Sequence, residues 1–511
     1  MGSQKTMHSP INDIQQEPVA PSSRKRAVLF LLSSFLIGVV FFVLLETCLS
    51  WFGLGDPELL PDPFVGFREV RPLFALNEDG SRYEIAPSRR TFFNFESFAS
   101  TKASNEFRIF CLGGSTVAGR PYGIETSFTK WLELGLGAAD SSHQWKTVNC
   151  GGISYASYRL VPILKEILAY GPDMVVVLTG HNEFIEDRTY KHIKHMPAAV
   201  AWAYDRISRL RTFTLLRSAC DRLANHSEVR HPTGRATLPT EVQALLDYRG
   251  GLEKYHRDEE WRHNVIEHFR FNLKRMTQIA RGAGLPLLLV TPGCNLRDSP
   301  PFKSQHKGGL SSEQKGEWQS LREEARSCYG PEPLRSIGLL QEATRIDDQH
   351  AGTFYELGKC YDAVGMTERA FDSYNQAKEL DVCPLRIIDP MNQAILEAAR
   401  EEDIPLVDAC AILAKLSRDG IPGNDTYVDH VHPTIESHQV IANSILDELI
   451  RMGVVHPTEG WLERREEAYA QHLASLDRLY YALGNARLER LQAWAAGRCD
   501  FEPPGKQDGE R

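Results

Sequence analysis

A serine hydroxyl attacks a carbonyl efficiently only when a base takes its proton and preorganised donors receive the charge that develops on oxygen. Four short stretches of this chain carry residues of those types. Gly113-Gly114-Ser115-Thr116 follows the apolar run Ile109 to Leu112, which places Ser115 at the carboxyl end of a strand, the edge where open α/β sheets bind ligands. Taken alone, the same turn is an ordinary helix N-cap. Asn149-Cys150-Gly151-Gly152-Ile153-Ser154-Tyr155 follows a second short strand, Gly180-His181-Asn182-Glu183 follows the strongest strand signal (Met174 to Thr179), and Asp429-His430-Val431-His432-Pro433 lies near the far end. His432 is the candidate base, and Asp429, three residues earlier, is the carboxylate that would orient it. The Ser115 N–H, a glycine N–H of the second stretch and the Asn182 amide are candidate oxyanion donors. Glu183 reads as a prop for the Asn182 loop. His430 and His432 beside Asp429 would also suit a cation, but no third convergent ligand is apparent.

Together the four stretches resemble the SGNH (GDSL-like) hydrolase family. That family is named for a Ser, a Gly, an Asn and a His on four separate blocks, which fall here on Ser115, Gly152, Asn182 and His432 in the family's order. The family pattern selects Gly152 over the adjacent Gly151. The resemblance spans roughly residues 90 to 450. It departs at the first block, Gly-Gly-Ser-Thr where Gly-Asp-Ser-Leu is usual, and at Glu183, where Asp is commoner. Neither change removes a group the mechanism needs. The resemblance implies a three-layer, doubly wound α/β architecture with five parallel strands in flavodoxin-like order, acting without cofactor or metal.

The elements that must hold these residues are legible in the α/β rhythm that begins at residue 107. Strands are expected at Ile109 to Leu112, Thr147 to Cys150, Met174 to Thr179, Pro286 to Thr291 and Pro405 to Val407, with helices near Ser127 to Gly135 and Tyr158 to Tyr170. Strands separated by helices make a parallel sheet covered on both faces. Val265, Phe269, Leu273 and Met276 recur at helical spacing and read as core. Arg188, after the third block, and Asn295 and Arg297, in the loop after the fourth strand, are expected to reach a substrate.

Flanking segments divide the 511 residues further. Residues 1–26 are polar and end in Arg24-Lys25-Arg26, a composition expected to be a disordered cytoplasmic tail. Residues 27–47 read as a transmembrane helix: Ala27 to Leu45 carries no charge and, at about 1.5 Å per residue, matches a hydrocarbon core roughly 30 Å thick. The run exceeds the ~7–15 residues of a signal-peptide core. Basic residues on its N-terminal side put the remainder of the chain in the periplasm or outside the cell. Residues 48–105 read as an irregular lead-in, 106–310 and 385–455 as two parts of the hydrolase domain, and 456–511 as a helical extension expected to pack on the insertion between those parts. In that insertion, residues 311–384, Leu357, Gly358, Tyr361, Ala370, Tyr374 and Ala377 follow the spacing of a tetratricopeptide unit, with half a degenerate unit upstream. The ten cysteines lack paired spacing and read as small buried hydrophobes.

A net charge of −9 argues against nucleic acid as a partner. Three functional classes remain: an esterase, most plausibly removing acetyl from an extracytoplasmic glycan; an acyltransferase using the same acyl-enzyme; and a membrane-tethered module whose repeat docks a protein partner.

Overall fold

The computed structural model describes residues 22–54, 72–185 and 252–496, together with a few positions between 207 and 219. The chain forms two compact units: residues 1–60 with 197–232, and residues 61–196 with 233–511.

The smaller unit is built on α1, Ser22–Trp51. Its stretch Val28–Trp51 has a mean hydropathy of 3.0 and is long and apolar enough to cross a membrane. The helix starts five residues before the expected boundary and ends four after it, so Arg24, Lys25 and Arg26 belong to its first turns and not to a tail. Near its far end the Glu46 carboxylate accepts from the backbone N–H groups of Arg211 (2.8 Å) and Thr212 (2.9 Å).

In the larger unit, the lead-in contains a small antiparallel sheet where no regular structure was expected. Its strands are β1 (Phe74–Leu76), β2 (Arg82–Ile85) and β3 (Ser97–Ala99). The sheet packs through Phe74 and Phe98 on Phe110 of the main sheet. Five parallel strands follow: β4 (Glu106–Gly113), β5 (Gln144–Gly151), β6 (Met174–Leu178), β7 (Leu287–Val290) and β8 (Leu406–Val407), in the order β5-β4-β6-β7-β8. This is the expected doubly wound arrangement. All five β6 side chains are buried, as a central parallel strand covered on both faces requires. Each contributes about 1.5–3 kcal/mol by burial.

Strand alternation sends residues to opposite layers. Phe110, Leu112, Val175, Val177, Leu287 and Leu289 share one core with α4 (Ser157–Ile167), α5 (Glu259–Gly282) and α10 (Asp389–Glu401). Ile109, Cys111, Val176, Leu288 and Val290 share the other with α3 (Phe128–Ala139), α11 (Ala409–Leu416) and α12 (Ile435–Arg451). The turn carrying Ser115 becomes a short helix, α2 (Ser115–Ala118). Val265, Phe269, Leu273 and Met276 of α5 are all buried.

The insertion holds four helices, α6 (Ser312–Cys328), α7 (Pro333–Ile346), α8 (Ala351–Ala363) and α9 (Thr367–Leu380), making two successive hairpins where one and a half were expected. A Cβ on Gly358 would lie 2.7 Å from the Tyr374 ring, so the close approach of α8 to α9 depends on that glycine. The insertion's apolar face joins Cys294 and Leu296, after β7, and Val431, between the site histidines, in one core.

The C-terminal extension departs from its expected position. Helix α13 (Trp461–Ser475) packs on α3, where the Tyr469 hydroxyl donates to the Trp131 carbonyl at 2.9 Å. Helix α14 (Arg478–Ala496) contacts Tyr122, in the loop after α2, and Val428, in the loop that carries His432. The eight described cysteines are free thiols.

Candidate active site

Ser115 sits where β4 ends and α2 begins, so its N–H is one of the first-turn donors for which no helix supplies an acceptor. The partner histidine arrives from a loop more than 300 residues later. His432 Nε2 lies 2.8 Å from Ser115 Oγ, and His432 Nδ1 lies 2.6 Å from Asp429 Oδ2. The other carboxylate oxygen, Asp429 Oδ1, accepts from the backbone N–H groups of Val431 (2.9 Å) and His432 (2.8 Å). Burial alone would raise the Asp429 carboxyl, but the His432 imidazole and these donors outweigh it and hold the group well below the usual carboxylate range. An ionised carboxylate accepts the Nδ1–H and leaves Nε2 able to take the serine proton.

Three neighbouring imidazoles are held neutral. Burial is the first cause in each case, and it lowers His181 to about 3, His430 to about 4 and His438 to about 3. His430 Nδ1 is 3.7 Å from Asp429 Oδ1, but a neutral ring forms no ion pair. An unfolded histidine titrates near 6.5. Their contribution to stability is therefore complete above about pH 6.5 and is lost as pH falls toward 4, because the unfolded chain takes up protons that the fold refuses. Each contributes a slope of about 1.4 kcal/mol per pH unit in that window. Urea unfolding midpoints measured from pH 7.5 to 4.5 should fall steeply below 6.5; a flat profile would show that these rings are not buried neutral.

Asn182 and Glu183 meet different neighbours. A Cβ on Gly114 would lie 2.7 Å from Asn182 Nδ2, so the amide is against the nucleophile's turn. Nδ2 donates one hydrogen to the Tyr155 carbonyl at 3.1 Å and has a second to offer. Glu183 is fully buried and accepts from the Ser157 N–H (2.6 Å) and hydroxyl (3.1 Å), tying its loop to the start of α4.

The second block requires a correction. Gly152 is not a free donor, because its N–H donates to the Gly113 carbonyl at 3.0 Å and extends the β4–β5 ladder. The Ile153 N–H donates to Phe92 and the Tyr155 N–H to Gly152. Between them the Ser154 N–H has no partner among the described residues. Ser154 holds φ at +60°, a left-handed conformation that costs a non-glycine residue about 1–2 kcal/mol.

Asn295 and Arg297 are corrected as well. Asn295 is 1% exposed, donates to Asn424 Oδ1 (2.9 Å) and accepts from the Asp298 N–H (2.9 Å), while its own N–H donates to the His430 carbonyl. Arg297 is 4% exposed and paired with Asp362 of α8 at 2.9 Å. Both side chains are consumed in holding the loop after β7 to the His432 loop and to the insertion, so neither can meet a substrate. Arg188 lies outside the described residues. The sequence reading also missed the lead-in's part in the site. Asn94 Nδ2 donates to the Ala118 carbonyl at 2.7 Å, and Phe93 bridges to Gly152. No periodicity announced these residues.

A parallel doubly wound sheet bearing Ser, His and Asp in hydrogen-bonded succession at its carboxyl edge defines the class: an α/β domain with a hydrolase-type triad geometry. No family model and no curated protein sequence matches the chain. Solved structures similar to it include a lipase/acylhydrolase from Enterococcus faecalis, 12% identical with a TM-score of 0.30, covering 69% of this chain and 100% of that one. An acetylxylan esterase from Geobacillus stearothermophilus, solved as a catalytic mutant, is 13% identical with a TM-score of 0.30 over 68% of this chain and 96% of its own. A GDSL-like lipase from Bacteroides thetaiotaomicron is 11% identical with a TM-score of 0.29 over 70% and 93%. The reading of the site rests on its own geometry.

Proposed function

We propose that this chain is a serine esterase of SGNH type acting through an acyl-enzyme. The observation that carries the reading is the unbroken succession Ser115 Oγ, His432 Nε2, His432 Nδ1 and Asp429 Oδ2, at 2.8 and 2.6 Å. Ser115 Oγ attacks the ester carbonyl as its proton passes to His432 Nε2. The imidazolium then protonates the departing alcohol, and water repeats the sequence to release the acid. The Ser115 N–H, the free hydrogen of the Asn182 amide and the Ser154 N–H receive the oxyanion, Ser154 standing where Gly152 was expected. The substrate we favour is an acylated, most plausibly acetylated, glycan outside the cytoplasm. Helix α1 then serves as an uncleaved anchor with Arg24, Lys25 and Arg26 on the cytoplasmic side, and the two insertion hairpins are tetratricopeptide-like.

The test is hydrolysis of an aryl acetate by the full-length protein in detergent, with and without an acetylated glycan's deacetylated form as acceptor. Release of acetate under both conditions supports the esterase; acyl transfer to the acceptor at the expense of hydrolysis would replace it with the transferase. In the same assay Asn182→Ala should lower turnover by about 10²–10³, with KM changed much less, because an oxyanion donor acts mainly in the transition state. A loss confined to KM would remove Asn182 from that role.

A further inference from the structure

A single charge interrupts the apolar surface of α1. Between Ala27 and Trp51 the one charged side chain is Glu46. It stands five residues before the end of the stretch long enough to cross a membrane, about 8 Å along the axis. A carboxylate so close to hydrocarbon is costly unless donors meet it there. One short segment supplies them. Glu46 Oε2 accepts from the Arg211 backbone N–H at 2.8 Å, and Glu46 Oε1 accepts from the Thr212 N–H at 2.9 Å and the Thr212 hydroxyl at 2.5 Å. Arg211 Nη1 donates in turn to the Leu54 carbonyl at 3.1 Å, just beyond the end of α1. Residues 211–216 form a helical turn, and the first N–H groups of such a turn have no acceptor of their own. Carboxylate and turn therefore satisfy each other without water.

These contacts fix the depth of the turn, because its start lies within hydrogen-bonding distance of a side chain of α1. Near that level α1 and its end expose Trp51 and Phe52, aromatic residues of the kind that settle where headgroups meet acyl chains. The turn adds surface of the same character. Leu216 is 66% exposed, and Leu215 and Ile207 are exposed as well, whereas Thr214 is buried. Adjacent leucines open to solvent beside an apolar helix leave surface that water solvates poorly. An apolar patch joined by hydrogen bonds to a helix long enough to span a membrane fits a bilayer surface.

We propose that residues 211–216 form a second membrane contact, with Leu215 and Leu216 set among the phospholipid acyl chains of the leaflet at the C-terminal end of α1, and that Glu46 holds the turn at that depth. The inference rests on reading α1 as an anchor. It gives Glu46 a purpose that anchoring alone does not need, since an uncharged residue at that position would enter a bilayer more readily.

Tryptophan quenching tests the contact, in full-length protein reconstituted into phosphatidylcholine vesicles with and without bromine on the acyl chains. Trp51, isolated as the difference between the parent and Trp51→Phe, reports whether α1 enters the bilayer. Leu216→Trp, read against the parent, should lose a share of its added emission comparable with that lost by Trp51. Leu215→Trp gives the same reading should Leu216→Trp not fold. In the Leu216→Trp protein, Glu46→Ala removes the acceptor of three hydrogen bonds and should shift the balance between seated and released turn by about tenfold or more. The shift would appear as weaker quenching at 216 with Trp51 unchanged. Glu46→Gln keeps one acceptor oxygen and should retain part of the quenching. Quenching of Trp51 without quenching at 216 or 215 would overturn the contact, leave the anchor standing and assign the leucines to a protein partner or a second copy of the chain. Undiminished quenching after Glu46→Ala would overturn the role given to Glu46. An unquenched Trp51 would overturn the anchor and the contact together.

Discussion

Ser115→Ala is expected to reduce ester turnover by a factor on the order of 10⁴–10⁶, and His432→Ala by a similar factor, while the double substitution costs little more than either alone. The reason is that one covalent route needs both groups. Ser115 Oγ without the base is a poorly nucleophilic alcohol, and the base without the hydroxyl has no proton to take across the 2.8 Å contact that joins them. The activity that survives reflects the oxyanion donors and substrate binding, which neither substitution touches. Ser115→Ala removes a single oxygen and should leave the melting temperature close to that of the parent. Turnover of an aryl acetate by the three variants and the parent, with thermal melts alongside, provides the measurement. A Ser115→Ala protein with parental turnover would eliminate the nucleophile and favour a tethered interaction module. Losses that multiply in the double variant would mean that the two residues act in separate steps.

Asp429→Asn should cost about 10⁴ in turnover with the fold nearly intact. Asp429 accepts three hydrogen bonds, two from backbone N–H groups on Oδ1 and one from His432 Nδ1 on Oδ2. An asparagine can keep its carbonyl oxygen on the two backbone donors. Its amide then faces Nδ1, which must become the acceptor, and the ring proton moves to Nε2. His432 would present a donor to Ser115 where catalysis needs an acceptor. Crystals of the variant should show His432 and Ser115 within hydrogen-bonding reach, and its turnover should recover only where hydroxide replaces the enzyme's base at high pH. Near-parental turnover at neutral pH would show that Asp429 neither fixes the tautomer nor stabilises the imidazolium.

The amino-acid sequence by itself determined the parallel sheet and singled out Ser115, His432 and Asp429, which the fold joins by hydrogen bonds and which we propose as a triad. Runs such as Met174 to Leu178 have one stable place, a strand covered on both faces. A Gly-Gly-Ser turn after such a run has its serine at the carboxyl edge, and the Asp429 to His432 spacing lets a carboxylate turn back on an imidazole within one loop. These are short-range constraints, written in neighbouring residues. The lead-in sheet escaped because its strands are three or four residues long, too short to display a period, and are fixed by aromatic contacts with Phe110.

Tertiary structure alone decided which N–H groups remain free among the described residues and which charges are matched. Gly152 and Ser154 both lie in the second block, but the Gly152 N–H is consumed by Gly113 across the sheet, whereas the Ser154 N–H, at φ +60°, has no partner among the described residues. A glycine at 154 would have advertised that conformation; a serine conceals it. Arg297 illustrates the same point: it lies in a loop at the carboxyl edge, yet it meets Asp362 of the insertion, 65 residues away, and is neutralised. Electrostatic energy depends on distance through space and on burial, neither of which is written along the chain.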